Sequence, residues 1–163
     1  GDLEAVERPD FKVARDDIEL GDVARRVAGL LALKAADHTI SIHAPTDDIL
    51  VPAVAEFRRT LQIILNLVNN AIRYSPDGTH IFIDVCTVGA EAFISVRDQG
   101  KGIDPDDREK IFKKFERLGR SGDGGSGLGL YISRRLARAM GGELHVQNAE
   151  DGGAIFTLRL PNC

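Results

Sequence analysis

Tryptophan is absent from the chain, cysteine occurs only twice, and aromatic residues make up 6% of the sequence. Cys86 falls inside an alternating apolar segment and Cys163 is the last residue, so their spacing supports neither a disulfide framework nor a zinc site. Two free thiols suit a reducing cytosol, and the expected compartment is cytoplasmic. No apolar run approaches the ~18 residues of a membrane span, and the acidic start Gly1-Asp2-Leu3-Glu4 lacks the basic beginning of a signal peptide. No membrane contact is expected. The formal net charge of −4 gives no basic footprint for nucleic acid, and Arg134, Arg135 and Arg138 read as a solvated helix face. What remains is an ordinary globular balance, 43% hydrophobic and 28% charged over 163 residues, enough for one domain with one core and one site.

Along the chain, the first ~10 residues show no clear periodicity and read as a frayed end. Leu20, Val23, Val27, Leu30 and Leu31 recur at helical spacing, which predicts a helix over 20–36 with Asp16-Asp17 as candidate cap. Ile40 and Ile42 alternate with polar neighbours, and Ile49 to Val51 follow a Pro45-Thr46-Asp47-Asp48 turn, which predicts two short strands. The longest helical signal covers 54–74, with Leu61, Ile64, Leu65, Val68 and Ile72 as its apolar stripe, and stops at Ser75-Pro76-Asp77-Gly78. Alternation over 80–88 and 92–98 across Gly89-Ala90-Glu91 predicts an antiparallel pair. Six glycines between 119 and 129 exclude any regular element there and predict a mobile loop. A helix carrying Ile132, Leu136 and Met140 follows, then strands near 143–148 and 154–160.

Three segments carry candidate chemistry. On the 54–74 helix, Asn66, Asn70, Arg73 and Tyr74 share the face opposite the apolar stripe. Mid-helix asparagines cost stability because their amides compete for backbone hydrogen bonds. A binding site explains that cost: an amide oxygen is a hard neutral ligand for Mg²⁺, Arg73 offers fixed charge and Tyr74 a hydroxyl. Taken alone, the helix reads better as an ordinary amphipathic helix with a polar outer face. The second segment is Asp98-Gln99-Gly100-Lys101-Gly102-Ile103. A carboxylate at a strand end accepts from the exocyclic amine of adenine, where guanine presents a repelling carbonyl, and Gly100 and Gly102 let the backbone approach a flat ring. A plain Asp-x-Gly turn reads the same way. Pro105 breaks a dinucleotide fingerprint and no glycine stands where a Walker loop needs one.

The third segment, Gly124-Gly125-Ser126-Gly127-Leu128-Gly129-Leu130, runs straight into a helix. Bare amides and the helix dipole make such a junction an anion site suited to a triphosphate, and a flexible linker is its alternative. Between the last two lies Ile111-Phe112-Lys113-Lys114-Phe115-Glu116-Arg117. Here the phenylalanines can pack a lid while Arg117 reaches a phosphate, or the segment is a short amphipathic core helix.

In order and spacing, these four segments resemble the N, G1, F and G2 boxes of the catalytic, ATP-binding domain of bacterial sensor histidine kinases, over roughly residues 18–160. The resemblance implies a two-layer α/β sandwich of the GHKL (Bergerat) superfamily, with a mixed, mostly antiparallel sheet backed by three helices, and with 1–17 an extension from a preceding dimerisation region or linker and 18–163 the catalytic domain. It implies ATP and Mg²⁺ as cofactors, Asn70 as metal ligand with Asn66 beside it in the catalytic pair, and Asp98 as the adenine reader. It further implies nucleotide contacts from Arg73, Tyr74, Gly100, Gly102, Ile103, Arg117, Gly125, Ser126, Gly127, Leu128, Gly129 and Leu130. ATP-hydrolysing relatives carry a glutamate four residues before the metal-binding asparagine; here Asn66 stands there, which favours phosphoryl transfer over hydrolysis. None of His38, His43, His80 or His145 has the acidic neighbour of a phosphate-accepting histidine, so the acceptor is expected on dimerisation helices outside these residues, with a response regulator downstream. The domain alone is expected to be a monomer that binds ATP without phosphorylating itself, within a homodimeric parent kinase. A silent ATP-binding regulatory module and a serine kinase of the anti-sigma-factor type are the alternatives; the Ile-Phe-x-x-Phe-x-Arg segment favours the histidine-kinase branch.

Overall fold

A computed structural model describes residues 1–116 and 127–163. Eleven elements are used below: α1 (Asp2–Glu7), β1 (Asp16–Glu19), α2 (Leu20–Ala36), β2 (Ser41–His43), β3 (Pro52–Ala55), α3 (Phe57–Tyr74), β4 (His80–Val88), β5 (Glu91–Arg97), α4 (Gly129–Ala139), β6 (Glu143–Asn148) and β7 (Ala154–Pro161). The main sheet has strand order β2-β4-β5-β7-β6, parallel between β2 and β4 and antiparallel elsewhere, while β1 and β3 form a separate antiparallel pair. Helices α2, α3 and α4 back the sheet, which is the expected two-layer sandwich.

Period-two alternation sets the sheet's two faces. Ile81 and Ile83 of β4, Ala92, Ile94 and Val96 of β5, and Leu158 and Leu160 of β7 are buried, whereas His80, Asp84 and Cys86 on the opposite parity are exposed. Against the buried face α3 lays Ile63, Ile64, Leu67, Val68, Ala71 and Ile72, each larger side chain worth about 1.5–3 kcal/mol of burial. This stripe is rotated from the expected one: Leu61 and Leu65 are only partly buried at its margin. Pro76 ends α3 because its ring drives Ser75 out of the helical region, to φ −95 and ψ 147. At the end of α4, Gly141 takes φ +79, and the Gly141 and Gly142 N–H groups donate to Arg138 and Ala137 at 3.0 and 2.9 Å, a Schellman closure.

Three expectations need correction. Asp16-Asp17 is part of β1 and caps nothing; Glu19 caps α2, accepting from Gly21 at 2.6 Å and from the Val51 N–H at 2.9 Å. That second bond, with Leu20 N–H donating to Val51 at 2.9 Å, ends the stretch expected as a strand over 49–51. The strand begins at Pro52 instead, paired with the acidic β1, and leaves Ile49 exposed. The first ten residues are not frayed either. Val6 is 3% exposed, Asp2 accepts from Arg59 and Gln62 of α3 at 3.2 and 2.8 Å, and Val6 carbonyl accepts from Arg135 of α4 at 2.8 Å. Six residues carry too little pattern for periodicity to show, so tertiary contacts decide this helix.

Glu7 completes the docking of α1, receiving Lys114 at 2.7 Å and the Tyr131 hydroxyl at 2.9 Å. The Lys114 ammonium and then the Tyr131 hydroxyl hold the Glu7 carboxyl below the usual carboxylate range. A depressed folded value means that the stabilisation is present above the ordinary unfolded value and is lost as pH falls through the folded one. Acidification below about pH 4, or Glu7→Gln at neutral pH, is therefore expected to move the Val6 methyl resonances toward random-coil positions while the Leu158 and Leu160 methyls stay put. Val6 shifts that ignore both changes would exclude Glu7 as the anchor.

Candidate functional site

Strand parity places the central acid. Counting on from Ile94 and Val96, Asp98 falls on the buried face, and it is 9% exposed. Its N–H continues the ladder to the Ala154 carbonyl at 3.0 Å, and its Oδ1 accepts from the N–H groups of Gly100 at 2.9 Å and Ala154 at 3.0 Å. These two bonds fix the carboxylate plane and offset the cost of burying it. Among the described residues, no hydrogen bond reaches Oδ2. One oxygen is thus spent on the backbone and one is left for a donor.

The turn after Asp98 is shaped by close approach. A Cβ on Gly100 would lie 3.1 Å from the Tyr74 carbonyl at the end of α3, and Gly102, at φ +75, would place one 2.6 Å from the Gly152 carbonyl. Gly153 touches the Asp98 carbonyl so closely that no side chain fits. Ile103 is 7% exposed, and both its backbone groups are bonded to the Asn148 amide at 2.8 Å. Asn148 and the 149–153 turn went unread in the sequence, where an asparagine ending a strand before Gly152-Gly153 signals only a turn.

The polar face of α3 is divided among three partners. Asn66 donates from Nδ2 to Ser133 of α4 at 3.1 Å, and its amide fills the place a Cβ on Gly129 would take. Gly129 thereby lets the start of α4 approach α3. Asn69 accepts from Lys34 of α2 at 2.6 Å, leaving it a structural amide. Asn70, half-buried, makes no hydrogen bond among the described residues. Arg73 is exposed, with its guanidinium 5.8 Å from the ring centroid of half-buried Tyr74.

The two remaining segments meet at a pinch. Phe115, at φ +64 and 62% exposed, donates its N–H to the Gly127 carbonyl at 2.9 Å. Gly127, at φ +77, leaves no room for a Cβ, which would lie 2.7 Å from the Phe115 carbonyl carbon. From there Leu128 enters α4, whose N-terminus has no side-chain cap bond, and Leu130 anchors it in the core at 9% exposure. Unpaired first-turn amides with a positive dipole end are what an anion needs. Arg117, Gly125 and Ser126 lie outside the described residues. The phenylalanines divide their roles: Phe112 is buried edge-on against Phe156 with centroids 6.3 Å apart, and Phe115 faces solvent.

Of the α4 arginines expected on a solvated face, Arg135 and Arg138 are exposed and Arg134 is not. The Arg134 side chain, 12% exposed, forks onto Glu109 at 3.0 and 3.3 Å, bonds Glu143 at 3.1 Å and lies 4.3 Å over the Phe112 ring. It pins the 110–112 turn to α4 and β6. Arg138, exposed like Arg135, pairs with Glu143 at 3.2 Å. The four histidines are exposed, as read.

A family model described as histidine kinase-, DNA gyrase B-, and HSP90-like ATPase matches residues 56–162. Sensor protein TorS of Escherichia coli is 43% identical over 119 residues, covering 72% of this chain and 13% of TorS. Full-length ShkA, solved in complex with AMPPNP, superposes with a TM-score of 0.85 at 28% identity, covering 98% of this chain and 34% of that one. The nucleotide-free catalytic domain of histidine kinase ThkA superposes with a TM-score of 0.80 at 28% identity, covering 91% of this chain and 95% of that one. The chain spans between 13% and 40% of the length of the curated relatives it matches.

Replacing Arg134 by Met keeps an apolar stem over Phe112, strips Glu109 of its partner and leaves Glu143 with Arg138 alone of its two arginines. The expected cost at neutral pH is about 1–3 kcal/mol, read as a lower unfolding midpoint. Burial acts to raise the Glu143 carboxyl, but the Leu144 N–H and the Arg134 guanidinium outweigh it and hold it below its ordinary value. The difference between variant and parent should therefore shrink as pH falls through that folded value. A gap that is constant with pH would mean that lost packing, not lost charge, explains the cost.

Proposed function

The chain belongs to the histidine kinase-, DNA gyrase B- and HSP90-like ATPase family, and from that premise we propose that it is the ATP–Mg²⁺ binding catalytic domain of a sensor histidine kinase. Its product is a phosphohistidine on dimerisation helices of the parent protein, and a response regulator takes the phosphate next. The observation that carries this reading is Asp98: a buried carboxylate with Oδ1 committed to two backbone amides and Oδ2 left to accept from an amino group. Adenine offers such a donor at its edge, with glycines at 100 and 102 leaving the turn open to a flat ring.

The other residues take roles by their chemistry. Asn70 supplies an uncommitted amide oxygen, the hard neutral donor Mg²⁺ accepts, and the ion when bound neutralises charge on the phosphate oxygens. Arg73 and Tyr74, one turn on, face the same side with a fixed cation and a hydroxyl. Gly127, Leu128, Gly129 and Leu130 present the first amides of α4 to the phosphates, and Arg117, Gly125 and Ser126, outside the described residues, take their phosphate role from the sequence resemblance alone. Asn66, with its NH₂ group bonded to Ser133, cannot take a proton from water. No described residue is thus placed as general base on this helix face, and the residues position and neutralise, as phosphoryl transfer requires. Residues 1–17 lead from the dimerisation region.

Asp98→Asn tests the reading without breaking the fold, because Oδ1 keeps both backbone bonds while Oδ2 becomes a donor that opposes adenine. Titration with a fluorescent ATP analogue is expected to show about 10- to 150-fold weaker binding, the worth of one charge-assisted hydrogen bond. Unchanged affinity would remove the base-reading role. Asn70→Ala is expected to abolish the gain in affinity that Mg²⁺ gives the parent chain while leaving Mg²⁺-free binding alone. With histidine-bearing dimerisation helices added in trans and labelled ATP, acid-labile label on the helices is expected; label on serine would overturn the histidine-kinase assignment.

A further inference from the structure

We propose that Asn148 is the positioning residue for the base-reading turn, acting through Gly102 and Ile103; the inference rests on the adenine role of Asp98 argued above. None of the four sequence motifs contains it. Residues 98–103 carry two glycines and end no helix, so their backbone has many conformations to lose when a ring is held against it. A side-chain amide offers an uncharged donor and acceptor in a single plane, matching a peptide unit. Asn148 uses both on Ile103, accepting its N–H and donating to its carbonyl, each at 2.8 Å. The fit also sets the residue before it: a Cβ on Gly102 would lie 2.7 Å from Asn148 Oδ1.

The clamp is held from behind. Asn148 ends β6 opposite Ala154, the same residue whose N–H fixes Asp98 Oδ1. Between them a tight turn closes through Ala149 N–H on the Gly153 carbonyl at 2.6 Å and Gly152 N–H on the Ala149 carbonyl at 3.0 Å. Asp98 and Ile103, the two ends of the turn, are therefore tied to the two ends of one β6–β7 hairpin. The distance between the carboxylate and the ring-facing backbone is set by that hairpin rather than by the turn itself.

A clamp that positions predicts lost selectivity, whereas one that merely stabilises predicts lost stability. The test compares ATP with inosine triphosphate, which carries a carbonyl where adenine has its amine, as competitors of a fluorescent ATP analogue on the full chain. The parent is expected to prefer ATP. In Asn148→Ala the ATP preference is expected to fall about tenfold, through weaker ATP binding with inosine triphosphate binding little changed. Asn148→Asp keeps the bond from Ile103 N–H but sets a carboxylate oxygen against the Ile103 carbonyl, so it should lose ATP preference as well, and it carries the test if the alanine variant does not unfold cooperatively. An unchanged ATP preference in both variants, or an equal loss for both nucleotides alongside a lower unfolding midpoint, would overturn the positioning role. Equal binding of the two nucleotides by the parent would instead sink the reading of Asp98, and this inference with it.

Discussion

The proposed base-reading role asks of Asp98 a buried carboxylate with one oxygen left for a ligand, and that constraint shapes the structure around it. Burying the Asp98 carboxylate at 9% exposure without hydrogen bonds would be costly. The fold answers with two backbone N–H groups on one oxygen, and that answer dictates its surroundings. For Ala154 to reach Oδ1, β7 must start beside the end of β5, so Gly153 lies against the Asp98 carbonyl where no Cβ fits. For Gly100 to reach it, the chain must fold back under the end of α3, where the Tyr74 carbonyl excludes a side chain. Glycines at 100 and 153, far apart in sequence, follow from the same carboxylate.

The sheet was legible because its signal is local. Alternation over β4, β5 and β7 gives both the pairing and the face of each side chain, and carried two residues further it gives the direction of Asp98. The long helices were legible for the same reason. What could not be read is what depends on partners. The chain Pro52-Ala53-Val54-Ala55 has no strand signature until β1 pairs with it, and α1 exists because Asp2, Val6 and Glu7 find α3, α4 and Lys114.

The candidate site divides along the same line. Asn70, Asp98, Gly100 and Gly102 could be named from residue type and spacing, since each must present an intrinsic property: a neutral oxygen, a carboxylate or a missing Cβ. Arg134 and Asn148 could not, because an arginine on a helix and an asparagine before a turn each have an ordinary surface explanation. Only the distances show Arg134 12% exposed between two carboxylates, or Asn148 bonded twice to Ile103.

The asparagines of α3 show how a helix can afford a site. Three asparagines in one helix cost propensity, about half a kcal/mol each relative to alanine, yet two of them make tertiary bonds that offset it. Asn69 receives Lys34 and ties α3 to α2; Asn66 bonds Ser133 and ties α3 to α4. Only Asn70 is left without such a bond among the described residues, and it lies one turn from Asn66 on the face shared with Tyr74. A residue that makes no such bond, next to Asn69 and one turn after Asn66, rides on backbone that both of them help to fix. That is the condition a metal ligand needs: its backbone is fixed by neighbours while its oxygen remains free. The Asn66 and Asn69 bonds therefore support the proposed metal role of Asn70 by tying the helix that carries it to α4 and α2.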